Sequence, residues 1–326
     1  MTPRYGLPVR RLLGVLVIAA LAVAVVAVAA GAGSSGGSGD EPAKLGHVAR
    51  SSSSHVVVIV MENKEETEVL GTKDAPFLTR LARRYASVPR SYGVRHPSLP
   101  NYIALTSGST HGITDDCEDC HIDARNIVDQ LEAKHISWKA YMEGMPRRCF
   151  TEPSASSGEY RRKHNPFVYY DDITRNPARC RKVVPFTDLA GDLRRDRLPT
   201  FAWITPDMCN DTHDCNVRTG DRFLAGVVPG LLRAVGPRGF LVVTYDEGRT
   251  AAGCCGGEAK GGQIATVIAG PRVRRGFKHR GALDHYGTLA TIERALGQRP
   301  LGHAKSARSG RFTDVFRSPP RIRAGS

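Results

Sequence analysis

The chain has 326 residues, 41% hydrophobic and 24% charged, and carries a formal net charge of +14. The charge is still about +11, 43 basic residues against 32 acidic, when Arg4, Arg10 and Arg11 are set aside. This content excludes general disorder and suits one large core, while a basic surface favours phosphorylated or anionic partners. No basic run is interleaved with aromatics as a nucleic-acid groove requires, so no nucleic-acid partner is expected.

In chain order, the three N-terminal arginines precede an uninterrupted small and apolar run from Leu12 to about Ala32. The run is long for a cleaved leader and just long enough to span a bilayer. Residues 1–34 are therefore expected to be a signal peptide or an N-terminal membrane anchor, and the protein to be secreted or held at the cell surface. Membrane association would run through residues 12–32. A Gly/Ser-rich and then polar stretch, 35–54, reads as a flexible linker, followed by a catalytic domain over 55–316 and a tail over 317–326.

His55 to Met61 is an unbroken apolar strand, and a helix over 75–86 sets Phe77, Leu78, Leu81, Ala82 and Tyr85 on one face. A short helix starts near Pro100, another spans 125–134, and 136–141 reads as a strand. A further strand over 200–205 ends at Pro206-Asp207, and 221–235 is mostly helical around Pro229. Strands at 240–245 and 264–268 and a helix over 285–296 complete the alternation. This order predicts an α/β fold, a three-layer α/β/α sandwich with a largely parallel central sheet.

The runs 55–61 and 240–245 each lead directly into polar pairs, Glu62-Asn63 and Asp246-Glu247. Strands buried on both faces of a parallel sheet would deliver these groups together at its carboxyl edge. Three carboxylates and an amide oxygen converging there call for a hard divalent cation. In His96-Pro97-Ser98-Leu99-Pro100-Asn101-Tyr102, Pro100 suits the first helical position. Ser98 then lies just ahead of a helix N-terminus, either as a plain N-cap or as a nucleophile that a cation could activate.

Eight cysteines, all beyond the linker, suit an oxidising compartment. Close pairs Cys117/Cys120 and Cys209/Cys215, with Cys149/Cys180 across a loop, are the expected disulfides. A zinc site at Cys117-x-x-Cys120 is the rival, but no second pair has the required spacing and Cys254-Cys255 are adjacent.

The ordered set Met61-Glu62-Asn63, His96 to Tyr102, Asn210-Asp211-Thr212-His213-Asp214, Thr244 to Gly248 and His285-Tyr286 resembles the phosphoesterase family of bacterial acid phosphatases and phospholipases C. That family belongs to the alkaline phosphatase superfamily. The likeness covers about His55 to Gly297 and is greatest to the short secreted phosphatases of actinobacteria.

The resemblance implies an alkaline-phosphatase-like fold and a metal-dependent hydrolase of phosphoric esters. Ser98 would become a phosphoserine, with Glu62, Asn63, Ser98, Asp246 and Glu247 as metal ligands. Asn101 would hold a phosphate oxygen, and His213 and His285 would bind phosphate or move protons to the leaving oxygen. His96, Asp211 and Asp214 are substrate-binding candidates, although His96 could only shape the turn and the two aspartates could cap helices or pair with arginines. His164 sits in a polar loop where it could meet substrate or serve structure, and His111-Gly112 reads as architecture.

The superfamily's two-zinc members carry Asp-His where this chain has Asp246-Glu247, so one divalent metal is expected and a second is in doubt. The expected substrate is a phosphorylated small molecule or a phospholipid headgroup. A phosphomonoesterase is favoured, with a phospholipase C-type phosphodiesterase as the alternative. An exported phospholigand-binding protein without turnover is the alternative of another class.

Overall fold

The computed structural model describes residue 45 and residues 48–256 and 259–323. The apolar run 12–32 lies outside the described residues, and no helix among them is long and apolar enough to cross a membrane. Part of the expected linker is packed. Leu45 and Val48 are buried close against Gly230, and the Ser51 amide donates to the Arg233 carbonyl at 3.3 Å.

The strands are β1 (Val56–Met61), β2 (Ala86–Ser87), β3 (Ser91–Tyr92), β4 (Trp138–Met142), β5 (Val183–Pro185), β6 (Phe201–Thr205), β7 (Phe240–Tyr245), β8 (Gln263–Ile264), β9 (Thr266–Ala269), β10 (Phe277–Lys278) and β11 (Leu283–Asp284). The helices are α1 (Glu66–Val69), α2 (Pro76–Arg84), α3 (Ser98–Ser107), α4 (Ile127–Glu132), α5 (Asp171–Thr174), α6 (Pro177–Cys180), α7 (Thr187–Arg194), α8 (Val217–Ala234) and α9 (His285–Ala295). The main sheet has the order β10-β2-β9-β7-β1-β6-β4-β5. From β7 to β5 every pairing is parallel, while β9 runs antiparallel to β7. A small sheet, β11-β3-β8, lies apart from it in the hydrogen-bond pattern.

Continuous burial of β1 follows from helices covering both faces. Val56, Val58 and Val60 join Leu99 and Ile103 of α3 and Leu289 and Ile292 of α9 in one core. Val57, Ile59 and Met61 join Leu78 and Leu81 of α2 and Leu224, Val227 and Leu231 of α8 in the other. Each such aliphatic side chain contributes about 1.5–3 kcal/mol on burial, so both layers hold β1 firmly in register. That register pairs Val56 with Phe240 and Met61 with Tyr245, which brings Glu62 beside Asp246.

Local signals account for the helix ends. Pro76 opens α2, the Asn216 side chain accepts from the Thr219 amide at the start of α8, and the Asp284 side chain accepts from the Gly287 amide at the start of α9. The helix expected at Pro100 starts two residues earlier, at Ser98. Pro100 still falls in the first turn, where no intrahelical N–H bond is lost. All eight cysteines are paired, as Cys117–Cys120, Cys149–Cys180, Cys209–Cys215 and Cys254–Cys255. The three expected pairs are present, the zinc reading has no free thiol to use, and the adjacent pair closes on itself.

Candidate active site

The carboxyl edge of the sheet gathers groups from four directions. Glu62 and Asn63 leave β1, Asp246 and Glu247 leave β7, and the loop after β6 brings Asp211 and His213. The fourth is the N-terminus of α3, where Ser98 is the first helical residue. Backbone bonds lock these segments together: the Glu62 amide donates to Asp211 O and the Asp246 amide to Met61 O, both at 2.8 Å. The Asn63 amide donates to Asp246 Oδ1 at 3.1 Å, and Asn63 turns the chain with φ 57°. Thr212, at φ 81°, donates its Oγ1 proton to Glu62 O at 2.7 Å.

Glu62 is the hub. Ser98 Oγ donates to its Oε2 at 3.1 Å, and Tyr102, one helical turn further along α3, donates to Oε1 at 2.5 Å. His164 lies with Nε2 3.3 Å from Glu62 Oε1 and Nδ1 3.3 Å from Asp211 Oδ2. Its ring stacks on Tyr102 and tilts against His213, each with centroids 5.5 Å apart. Ligand atoms of Glu62, His164 and His213 lie within 4.8 Å of one another. The structure thus brings His164 into the centre, a place its polar loop did not reveal.

The electrostatics describe a site short of positive charge. Burial, followed by repulsion from Asp246 and Asp211, lifts Glu62 well above the usual carboxylate range. Burial does the same to Asp211, lifts Asp246 to about 7, and together with the Asp246 charge lifts Glu247 to about 9. Burial also holds His164 well below the usual imidazole range, so it is a neutral ligand or acceptor. Asp246 Oδ2, Asp211 Oδ2 and His164 Nε2 are buried without a hydrogen-bond partner. Clustered acids with orphaned lone pairs beside a neutral imidazole are what a divalent cation satisfies, and the residues present fit one.

The other expected residues have protein partners of their own. Asn101 holds the preceding loop, with Oδ1 accepting from the Val94 and Arg95 amides and Nδ2 donating to Arg95 O at 2.7 Å, and Nδ2 also donates to Glu247 Oε2 at 3.3 Å. His285, 1% exposed, holds the Asp246 carbonyl with Nε2 from behind the site, and burial lowers it to about 4. His96 bridges Glu247 Oε2 and Thr250 O, each at 2.9 Å. Asp214 is exposed and holds His213 Nδ1 at 2.7 Å.

His213 and Asp214 line an open cavity of about 370 Å³ with Asp116, Arg161 and Lys163. Asp116 Oδ1 accepts from the Leu99 amide at the start of α3 and Oδ2 accepts from Lys163 Nζ, both at 2.9 Å. Sequence reasoning missed Asp116, Lys163 and the role of Tyr102. Only Tyr102 carried a signal, its place in the His96 to Tyr102 motif.

Comparison with known proteins gives the family. The model of the phosphoesterase family matches residues 69–297. The chain is 31% identical to a phosphatidylinositol-3-phosphatase of Mycobacterium tuberculosis, over 81% of this chain and 83% of that one. It is 36% identical to a phosphate-repressible acid phosphatase of Penicillium chrysogenum over 69% of this chain, and spans only 55% of that relative's length. Among solved structures it is similar to an alkaline phosphatase superfamily protein of Vibrio parahaemolyticus, at TM-score 0.51 and 14% identity over 79% of this chain and 71% of that one. Murine ectonucleotide pyrophosphatase/phosphodiesterase 5 is similar at TM-score 0.50 and 12% identity, over 81% of this chain and 100% of that one. At these identities the two structures speak for the fold alone.

Proposed function

The chain belongs to the phosphoesterase family and is a hydrolase of phosphoric esters; from that premise we propose an exported, cation-dependent phosphomonoesterase working through a phosphoserine at Ser98. The observation that carries this reading is the hydrogen bond from Ser98 Oγ to Glu62 Oε2, at the start of α3 and beside the orphaned Asp246 Oδ2. Export is supported by the apolar run 12–32 and by the pairing of all eight cysteines.

Glu62, Asn63, Ser98, Asp246 and Glu247 would hold the cation, which when bound supplies charge stabilisation for an alkoxide and for phosphoryl oxygens. In the first step Ser98 Oγ attacks phosphorus and its proton passes to Glu62 Oε2, the oxygen that already accepts its hydrogen bond. The ester P–O bond breaks and the leaving oxygen takes a proton from His213, whose Nδ1 is held by Asp214. Water then attacks the phosphoserine and gives its proton to His213. Ser98 recovers its own from Glu62.

Monoesters are favoured because Arg161 and His213 line the cavity beside the site, offering donors for the additional charge that a monoester carries, while Lys163 is held there by Asp116. The name of the mycobacterial relative supports one narrower version, in which the monoester is a phosphoinositide headgroup. Steady-state assays of the purified protein on an aryl phosphate, its bis-aryl diester and phosphatidylinositol 3-phosphate vesicles test the proposal. They are to be run after chelation and after refilling with single divalent metals. We expect kcat/KM for the monoester to exceed that for the diester by roughly tenfold or more, with activity lost on chelation. A diester preference of that size would favour the phospholipase C reading, and full activity without metal would remove the cation.

A further inference from the structure

A cavity larger than the one beside His213 lies away from the active site. A groove of about 1150 Å³ runs along α2, from Phe77 to Arg84, beside the last turns of α8, and reaches the opposite, amino edge of the sheet at the turns at 236–237 and 270–271. Those turns precede β7 and follow the antiparallel β9, and Arg50 on the rim precedes β1. Phe77 and Leu232 contribute to an apolar floor, and Arg50, Arg80, Arg84 and Arg233 surround it.

Among the described residues no Asp or Glu lines this groove. None of the four guanidinium groups makes an ion pair among the described residues. The nearby Asp221, whose charge Arg80 feels, has both oxygens committed to the Phe77 and Leu78 amides at 2.9 and 2.8 Å. Four cations without an ion pair around an apolar floor match an anionic amphiphile, with charge met at the rim and hydrocarbon at the base. A compact inorganic anion would use the arginines and leave the floor wet.

The approach of the chain points to one source for that amphiphile. Arg50 lies 18 positions after Ala32, the end of the apolar run, and the intervening sequence is Gly/Ser-rich and polar. Leu45, buried against α8, is 13 positions after Ala32, and a chain of that length reaches at most about 45 Å, so a bilayer holding the run would lie within reach of the groove.

We propose that the amino edge of the sheet docks on an anionic phospholipid surface, with Arg50, Arg80, Arg84 and Arg233 on headgroups and Phe77 and Leu232 at the acyl boundary. Strand β1, six residues long, separates this edge from Glu62 by about 20 Å. Docking therefore turns the active edge away from the lipid on which the protein rests. Substrate then comes from solution or from a facing surface. This inference is independent of the chemistry assigned to Ser98.

The test is photocrosslinking of the full chain on vesicles of phosphatidylcholine, with and without phosphatidylglycerol, each doped with a lipid carrying a diazirine near its headgroup. Adducts are mapped by peptide mass spectrometry. We expect them within residues 77–85 and 229–237 on anionic vesicles, falling roughly tenfold or more on neutral vesicles and in an R80E/R84E/R233E variant. Aryl phosphate turnover by that variant should be unchanged, which confirms that it folds. Adducts on the carboxyl edge, equal labelling from neutral lipid, labelling confined to residues 12–32, or full labelling of the variant would each overturn the proposal.

Discussion

Asn101 shows how a motif can name the right residue and leave its work open. The resemblance makes it a phosphate ligand, whereas its amide holds Val94, Arg95 and Pro97 in the turn that delivers Ser98. Replacing it with Leu strips partners from buried backbone groups, each costing about 1–3 kcal/mol when left unsatisfied. Denaturant titration of Asn101→Leu should therefore show a stability loss of that order alongside lost turnover; loss of turnover at unchanged stability would return Asn101 to the phosphate. Ser98→Ala should behave in the opposite way. Its hydroxyl contributes one bond to Glu62, so the fold should survive while kcat falls by about three orders of magnitude or more, checked by turnover and circular dichroism together. Glu62, Asp246 and Ser98 were legible because strand ends and a helix start are local features. His164 was legible only as a loop histidine that could meet substrate, and Lys163 not at all, because their neighbours come from residues 62, 211 and 116, and no periodicity in the 160–166 loop records that.

At the scale of elements, α8 reaches the site without supplying a functional group to it. A Cβ on Gly220 would lie 2.4 Å from Thr212 Cγ2 and 2.8 Å from Met61 Cε. Thr212 is the residue whose hydroxyl fixes the Glu62 carbonyl. Gly to Ala within a helix ordinarily stabilises by up to about 1 kcal/mol, and overpacking against a short branched side chain costs about 1–3 kcal/mol. The second term prevails here, so Gly220→Ala should lower both thermal stability and kcat; a more stable, fully active variant would show that the 211–213 loop yields freely. The strands were the most legible elements, since β1 is apolar throughout and β7 nearly so, as burial on both faces requires. The start of α3 was read two residues late because Pro100 suits the first turn as well as the first position. The packed segment around Leu45 and Val48 was read as linker because two apolar residues in a polar stretch form no pattern until α8 covers them.

For the whole molecule, the uncompensated acids make stability depend on pH and cation together. Asp246 at about 7 and Glu247 at about 9 are raised above their unfolded values by burial. Between the unfolded and folded values the native state binds more protons than the unfolded chain, so stability is greatest at low pH and falls as pH rises. The chelated protein should accordingly lose Tm between about pH 5 and pH 9, and a divalent cation should flatten the slope by taking over the protons' role. A slope unchanged by metal would mean that no cation binds among these carboxylates. The central claim, a covalent phosphoserine at Ser98, is tested most directly by acid-quenching the metal-loaded enzyme during turnover of an aryl phosphate and mapping the phosphorylated peptide by mass spectrometry. The account predicts phosphate on Ser98, absent from Ser98→Ala; phosphate trapped on another residue, or a Ser98→Ala enzyme that still turns over normally, would contradict it.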